Sequence, residues 1–183
     1  MQGIGRILGA VLAGGRSSRF GTDKALARLT DGRMLIDHVT ASLSPHVAAL
    51  VICGRSGGLA DRPRPDMGPL GGLNAALHHA LAHGFAGVLT TGCDMPVYPE
   101  ALPAALIGPD AAIVQDQPLL GWWPASLAPD LDTHLDCQDD RSIRRWAIAI
   151  GARLITLRNL DLANLDLPNI NRPEDLAAWD RPA

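Results

Sequence analysis

The chain has 183 residues, of which 47% are hydrophobic and 19% are charged, and its formal net charge is −3, a composition typical of one globular domain. It contains no basic stripe interleaved with aromatic residues, which argues against nucleic-acid binding. Its three cysteines form neither a CxxC pair nor a disulfide framework, which favours a reducing cytoplasm. We therefore predict a single cytoplasmic domain over residues 1–183.

The first apolar run, residues 7–13, has two interpretations. It lies at the lower length limit for the apolar part of a signal peptide, but Arg16 and Arg19 follow it closely. A buried strand that ends at glycines explains it better. No other run approaches the ~20 apolar residues of a membrane helix, so we predict no membrane association.

Strands and helices alternate along the rest of the chain. We predict strands at residues 7–13, 48–53, 86–92, 111–115, 119–123 and 153–157. We predict helices at residues 34–43, 70–83, 99–107, 125–136, 142–150 and 173–179. This alternation favours an α/β fold, a Rossmann-like and mostly parallel sheet with helices on both faces. Ligands of such folds bind at the carboxyl ends of the strands, so the chemically active side chains should follow strands directly.

A glycine-rich loop leaves the first strand within residues 12–24, with the pattern GGxSxRxGxDK. Gly14 and Gly15 permit positive φ angles and a close approach of backbone N–H groups to an anion. Arg19 and Lys24 add positive charge, one as a planar fork and the other as a point charge. The pattern is neither a Walker A loop nor a GxGxxG fingerprint. An ordinary connection is the alternative, but the complete spacing after a strand favours phosphate binding.

This segment resembles the signature loop of the nucleotidyltransferase superfamily that includes the MobA-like molybdenum cofactor guanylyltransferases. The resemblance implies an α/β nucleotidyltransferase domain whose loop binds a nucleoside triphosphate. It implies that Arg19 and Lys24 stabilise the departing pyrophosphate. It also implies GTP and molybdopterin as substrates. It is compatible with partner proteins that deliver or receive the cofactor.

A second motif is Asp66 followed by the run Gly-Pro-Leu-Gly-Gly-Leu at residues 68–73. A carboxylate at the start of a helix is favoured by the helix dipole, so Asp66 has a purely structural alternative. The run resembles the family pattern, in which a preceding aspartate contacts the nucleotide. We therefore predict that Asp66 belongs to the nucleotide site.

A third motif, Cys93-Asp94-Met95-Pro96, directly follows the strand predicted at residues 86–92. Mg²⁺ favours one or two carboxylates together with phosphate oxygens and waters. A turn before proline is the alternative reading of Asp94. With a phosphate loop in the same chain we favour metal binding, and the resemblance implies that Asp94 is the magnesium ligand.

The last motif surrounds the final helix. Asn171 and Glu174 have the spacing of a capping box, which is a sufficient structural reason for Asn171. The segment also resembles the NxNTPEDL pattern of the family, with Arg172 in place of the usual threonine. The resemblance implies that Asn169 and Asn171 approach the metal or the phosphate of the acceptor.

The predicted catalytic residues are Arg19, Lys24 and Asp94. The predicted nucleotide-binding residues are Leu12, Ala13, Gly14, Gly15, Lys24, Asp66 and Asp94. We expect the phosphates to lie on the N–H groups of residues 13–15 while Asp94 holds Mg²⁺. The acceptor is a phosphate monoester with a second pKa of ~6, so transfer needs no general base.

Two kinds of alternative function remain open at this stage. The near one is another nucleotidyl transfer, with CTP as donor or a sugar phosphate as acceptor. The family often has an asparagine near the guanine at the end of the second strand, where this chain has Cys53, so the choice between GTP and CTP stays open. The distant one is a non-catalytic nucleotide-binding protein.

Overall fold

The computed structural model describes residues 5–14, 23–138, 140–157, 170 and 172–179. Within these residues six strands form one sheet: β1 (Ile7–Leu12), β2 (Ala49–Cys53), β3 (Gly87–Gly92), β4 (Ala112–Val114), β5 (Gln117–Pro124) and β6 (Arg153–Ile155). The strand order across the sheet is β2-β1-β3-β5-β4-β6. β5 runs antiparallel to β3 and β4, whereas the β1–β2, β1–β3 and β4–β6 pairs are parallel. The prediction of a mostly parallel sheet is confirmed.

Six α-helices lie among the described residues: α1 (Leu35–Leu43), α2 (Gly68–Ala82), α3 (Leu102–Leu106), α4 (Ala128–Cys137), α5 (Ile143–Ala149) and α6 (Pro173–Trp179). The predicted helices all occur. α2 begins two residues before its predicted start, because Pro69 is tolerated in the first turn of a helix. α3 is shorter than predicted, since Pro99 and Glu100 precede it in a turn. None of the described helices is long and apolar enough to cross a bilayer.

The core lies on both faces of the sheet, because alternate side chains of β1 point in opposite directions. Leu8, Ala10 and Leu12 join the cluster that α2, α4 and α5 cover. Val11 packs with Leu43 in the second cluster, which α1 and α3 cover. The predicted arrangement of helices on both faces is therefore confirmed, and it leaves the carboxyl ends of β1, β2 and β3 together at one edge.

A polar network joins α2 to α4 on the first face. The Asn74 side-chain amide donates to Asp132 at 2.7 Å, and His78 Nε2 lies 2.7 Å from the other oxygen of that carboxylate. Asn74 is fully buried. Burial acts to raise the pKa of Asp132, but the hydrogen bonds from Asn74 and His78 outweigh it and hold the pKa below its usual 3.8. The network links the two helices, and its strength depends on the Asp132 carboxylate being ionised.

We expect Asp132→Asn to lower the free energy of unfolding by about 1 kcal/mol at neutral pH, because a charge-assisted hydrogen bond is lost. The folded pKa is depressed, so this stabilisation is present above the unfolded pKa and is lost as the pH falls through the folded value. Denaturant titrations should therefore show the two proteins converging below about pH 4. Asp130→Asn, an exposed change on the same helix, serves as the control. A difference that does not vary with pH would contradict the assignment.

Candidate active site

Lys24 and Asp94 meet at the carboxyl edge of the sheet. Lys24 Nζ lies 3.2 Å from Asp94 Oδ2, and their side chains are only 14% and 16% exposed. The same ammonium donates to the carbonyl oxygen of Ile170 at 3.1 Å, and the Ile170 N–H donates to the Asp94 carbonyl at 3.0 Å. Three segments that are distant in sequence thus converge on one point. The sequence predicted the first two residues, and Ile170 was missed because its contribution is made by main-chain atoms.

The end of β3 positions Asp94. Gly92 is the last residue of that strand, and a Cβ there would collide with Oδ1 of Asp94. The absence of a side chain at Gly92 therefore gives the carboxylate its place. Met95 N donates to the Gly92 carbonyl and closes the turn. The carboxylate is held rigidly beside the strand end, as a metal or phosphate site requires.

An ion pair holds the segment before Lys24 against the loop after β2. Asp23 accepts two hydrogen bonds from the Arg55 guanidinium, at 2.8 and 2.6 Å, and one from the Ala25 amide at 3.2 Å. The hydrogen bond from Arg55 is the main cause that lowers the pKa of Asp23. A bidentate pair of this kind fixes the relative orientation of both segments. Sequence reasoning missed Arg55, although it follows a strand end, because an isolated arginine forms no motif.

The ends of β1 and β2 approach each other backbone to backbone. A Cβ on Gly54 would lie 2.6 Å from the Cα of Gly14, and Gly54 has a φ of +76°. The Ala13 amide donates to the Cys53 carbonyl at 3.0 Å. The Ala13 amide therefore already has a partner within the fold, and phosphate binding by the amides of residues 13–15 stays a prediction.

A cavity of about 800 Å³ opens next to this crossing. That volume is in the range of small-molecule sites. Its lining includes Gly14, Gly54, Arg55, Ser56, Asp61 and Asp66. The cavity therefore extends from the first loop, across the end of β2, to the start of α2.

Asp61 is a cavity residue that the sequence reasoning missed. Its Oδ2 accepts from the Met67 amide at 3.2 Å, just before α2. Its Oδ1 is buried without a hydrogen-bond partner among the residues that the structure describes. Burial raises the pKa of Asp61, and the nearby charge of Asp66 acts in the same direction. An unpaired acceptor in a cavity wall is a place for a ligand N–H. Its position before the Gly-Pro-Leu run was the available signal.

Asp66 lines the same cavity but is exposed. It has a φ of +60°, and its carbonyl oxygen accepts from Arg141 Nη1 at 2.8 Å. The side chain that accepts a hydrogen bond from the backbone at the start of α2 is that of Asp61. Asp66 stays a prediction as a nucleotide contact. Leu12 and Ala13 lie at the end of β1 and are nearly buried, at 4% and 8% exposure.

Four predicted site residues lie outside the described residues: Gly15, Arg19, Asn169 and Asn171. Among the residues that are described, no group of three or more histidine, cysteine, aspartate or glutamate side chains is placed to hold a metal ion. Burial raises the pKa of Cys93 to about 11, so this neighbour of Asp94 is a neutral thiol at physiological pH. The site therefore offers charge and hydrogen bonds rather than a thiolate nucleophile.

A mostly parallel sheet whose strand ends carry Gly14, a paired lysine and carboxylate, and a cavity of about 800 Å³ is the arrangement expected of an α/β nucleotidyltransferase. The chain belongs to the MobA-like NTP transferase domain family, whose model matches residues 9–153. The predicted resemblance is thereby confirmed, and the chain is a nucleotidyltransferase.

Individual relatives agree with this family. The chain is 38% identical over 163 residues to the molybdenum cofactor guanylyltransferase of Sinorhizobium fredii, covering 76% of this chain and 73% of that protein. It is 36% identical over 154 residues to the enzyme of the same name from Rhodobacter capsulatus, covering 76% and 80%. The crystal structure of molybdopterin-guanine dinucleotide biosynthesis protein A from Archaeoglobus fulgidus superposes with a TM-score of 0.70 at 25% identity, covering 94% of this chain and 96% of that one.

Proposed function

We propose that the chain transfers GMP from GTP to the terminal phosphate of molybdopterin and releases pyrophosphate. A relative that is 38% identical to the chain is named molybdenum cofactor guanylyltransferase. The observation on which the proposal depends most is the contact between Lys24 and Asp94, 3.2 Å apart at the strand ends beside the cavity. A protein that only bound nucleotides would have no need for a carboxylate at the position of the reacting phosphates.

In the proposed reaction the phosphates of GTP lie on the amides that begin at Gly14, and the base occupies the cavity beside Asp61. A terminal oxygen of the acceptor phosphate attacks the α-phosphorus in line. The new P–O bond forms as the bond to the β-phosphate oxygen breaks, and pyrophosphate leaves with that electron pair. Lys24, with Arg19 as its predicted companion, neutralises the charge that develops on the leaving group. The acceptor is already ionised, so no side chain has to remove a proton.

Asp94 is the residue that would hold Mg²⁺. Its carboxylate is an oxygen donor, and a single carboxylate completed by phosphate oxygens and waters is an ordinary magnesium site. When bound, the ion would neutralise phosphate charge and align the reacting groups. Asp94 fits this role because Gly92 leaves room for its carboxylate and because its side chain remains partly accessible, at 16%.

The Asp61 carboxylate supports guanine over cytosine. Guanine presents two neighbouring donors, its N1–H and its exocyclic amine, and one carboxylate can accept from both. Cytosine offers one exocyclic amine and no adjacent ring N–H, so it pairs less completely with a carboxylate. Oδ1 of Asp61 is the unpaired acceptor at this wall. Cytidylyl transfer remains the alternative that the next measurement addresses.

Calorimetric titrations of GTP and CTP, each with Mg²⁺, should give tighter binding of GTP to the native chain. Asp61→Asn should weaken the binding of GTP by about 10- to 100-fold, because the amide cannot accept from both guanine donors. The affinity for CTP should be nearly unchanged. CTP is thus an internal control for the integrity of the cavity. Tighter binding of CTP to the native chain would move the activity to cytidylyl transfer. An equal loss for both nucleotides would remove Asp61 from base recognition.

The residues proposed to bind the acceptor lie outside the described part of the chain. Asn169 and Asn171 are proposed to contact the acceptor phosphate, at the segment that also carries Ile170. Release of pyrophosphate with molybdopterin as acceptor distinguishes the enzyme from a non-catalytic binder, and a sugar phosphate tests the other acceptor class. We also propose that the protein is cytoplasmic, and that partner proteins deliver or receive the cofactor.

A further inference from the structure

Ile170 bonds to both charged residues of the site. Its carbonyl oxygen accepts from Lys24 Nζ at 3.1 Å, and its N–H donates to the carbonyl of Asp94 at 3.0 Å. The two bonds come from one peptide segment near the C-terminal helix. The main chain of Ile170 is therefore a bridge between the lysine and the strand end that carries the carboxylate.

The side chain of Ile170 fixes the position of that bridge. It is 0% exposed and packs with Leu29 and Leu35 in a cluster of its own. Trp179, from α6, also packs against this cluster, and its ring contacts His38 edge to face at a centroid distance of 5.3 Å. Ile170 and α6 together form what we call the C-terminal clasp. The apolar contacts of the clasp set the position of a polar atom at the site.

Lys24 needs such a constraint more than most charged residues do. Its ammonium sits on a flexible four-carbon stem, whereas an arginine fork is planar and already organised. Among the 16 lysine and arginine residues of the chain, Lys24 is the only lysine. A single ion pair to Asp94 fixes the distance between two groups, and a second acceptor at Ile170 fixes the direction as well.

We propose that Ile170 is a positioning residue that holds the Lys24 ammonium against Asp94 through its backbone carbonyl, with the buried side chain as its anchor. The catalytic consequence of this proposal rests on the proposed function, but the geometric consequence does not. If the clasp loosens, the ammonium loses one of its two acceptors and becomes more accessible to solvent. A residue that served only the core would leave the ammonium unchanged.

The single lysine makes this consequence directly measurable. Acetylation by an N-hydroxysuccinimide ester modifies side-chain amines and the chain terminus, and mass spectrometry of a proteolytic digest separates the Lys24 peptide from the terminal one. The rate of acetylation at Lys24 then reports the accessibility of one ammonium in the full-length protein. This readout requires no nucleotide, no acceptor and no activity.

The variant that tests the proposal is Ile170→Ala, with Ile170→Val as the conservative change. Leu77→Ala is the matched control, because it also removes three carbons from a fully buried side chain, but in the cluster on the other face of the sheet. We expect Ile170→Ala to acetylate about fivefold faster at Lys24, the factor that corresponds to one lost hydrogen bond. Ile170→Val and Leu77→Ala should react at the native rate. All rates are measured well below the melting temperature of each variant.

Trp179→Ala covers the case in which Ile170→Ala does not fold, since it loosens the clasp while leaving Ile170 in the chain. We expect a smaller increase in the same direction. Unchanged acetylation in folded Ile170→Ala, or in folded Trp179→Ala, would overturn the proposal, as would an equal increase in Leu77→Ala. In the transfer reaction kcat should fall together with the rise in acetylation. Should the native chain show no transfer at all, the proposed function fails and the acetylation rates still decide on the clasp.

Discussion

Asp94→Asn is expected to lower kcat/KM for nucleotidyl transfer by about 10³-fold, the loss typical for removal of an electrostatic group from a preorganised site. The amide has nearly the same shape, but it lacks the charge that binds a divalent cation and pairs with Lys24 3.2 Å away. Steady-state pyrophosphate release at saturating Mg²⁺ measures the effect. The melting temperature should change by only about 2–4 °C, because the backbone bond from Ile170 to Asp94 remains.

Glu100→Gln provides the matched control for this change. Glu100 is an exposed carboxylate in the same loop after β3. Its removal changes the net charge by the same amount, and it should leave turnover near the native rate. Native turnover in Asp94→Asn would contradict the assignment of Asp94 as the metal-holding residue. A large loss in Glu100→Gln as well would show that the general charge of the loop is what matters.

Lys24→Ala is expected to lower kcat/KM by about 10²- to 10³-fold, because the leaving pyrophosphate loses its point charge. Lys24→Arg should not restore the rate. The slot at residue 24 leaves the side chain 14% exposed and offers one carboxylate and one carbonyl as acceptors, a geometry that suits a compact ammonium rather than a planar fork. Single-turnover measurements with GTP separate this chemical effect from product release.

The control for Lys24 is Arg28→Gln, four residues along the chain. Arg28 is exposed and donates to the Gly32 carbonyl at 2.8 Å, away from the site. The variant should transfer at the native rate and should melt within a few degrees of the native chain. Full activity in Lys24→Ala would show that the lysine has no role at the phosphates. Full activity in Lys24→Arg would show that charge alone is sufficient.

The parallel half of the fold was predictable from the sequence for a local reason. β1 is buried along nearly its whole length and is a continuous apolar run followed by glycine, and β3 is buried throughout and ends at Gly92. These patterns do not depend on the neighbouring strands. The direction of β5 was not predictable in this way. It runs antiparallel between β3 and β4, and its apolar residues fit either direction equally well. The choice depends on pairing between distant segments.

The charged part of the candidate site was predictable because its motifs begin where strands end. Lys24 and Asp94 belong to motifs in that position, and parallel strands bring their carboxyl ends to one edge. Asp66 was predicted and Asp61 was missed, because both precede the same helix and the sequence pattern does not distinguish them. The fold buries one oxygen of Asp61 in the cavity wall and leaves Asp66 exposed.

Local sequence patterns were therefore enough to predict the α/β class, and to single out Lys24 and Asp94, which the fold brings together. The period of apolar residues, the spacing of glycines and the position of a motif after a strand are properties of short segments. They do not depend on the rest of the chain. The assembly of the site from distant segments was decided by tertiary contacts. The Asp23–Arg55 pair, the Gly14–Gly54 crossing and the Ile170 carbonyl on Lys24 each join segments at least 30 residues apart. Only packing of the complete chain brings such groups to within hydrogen-bond distance.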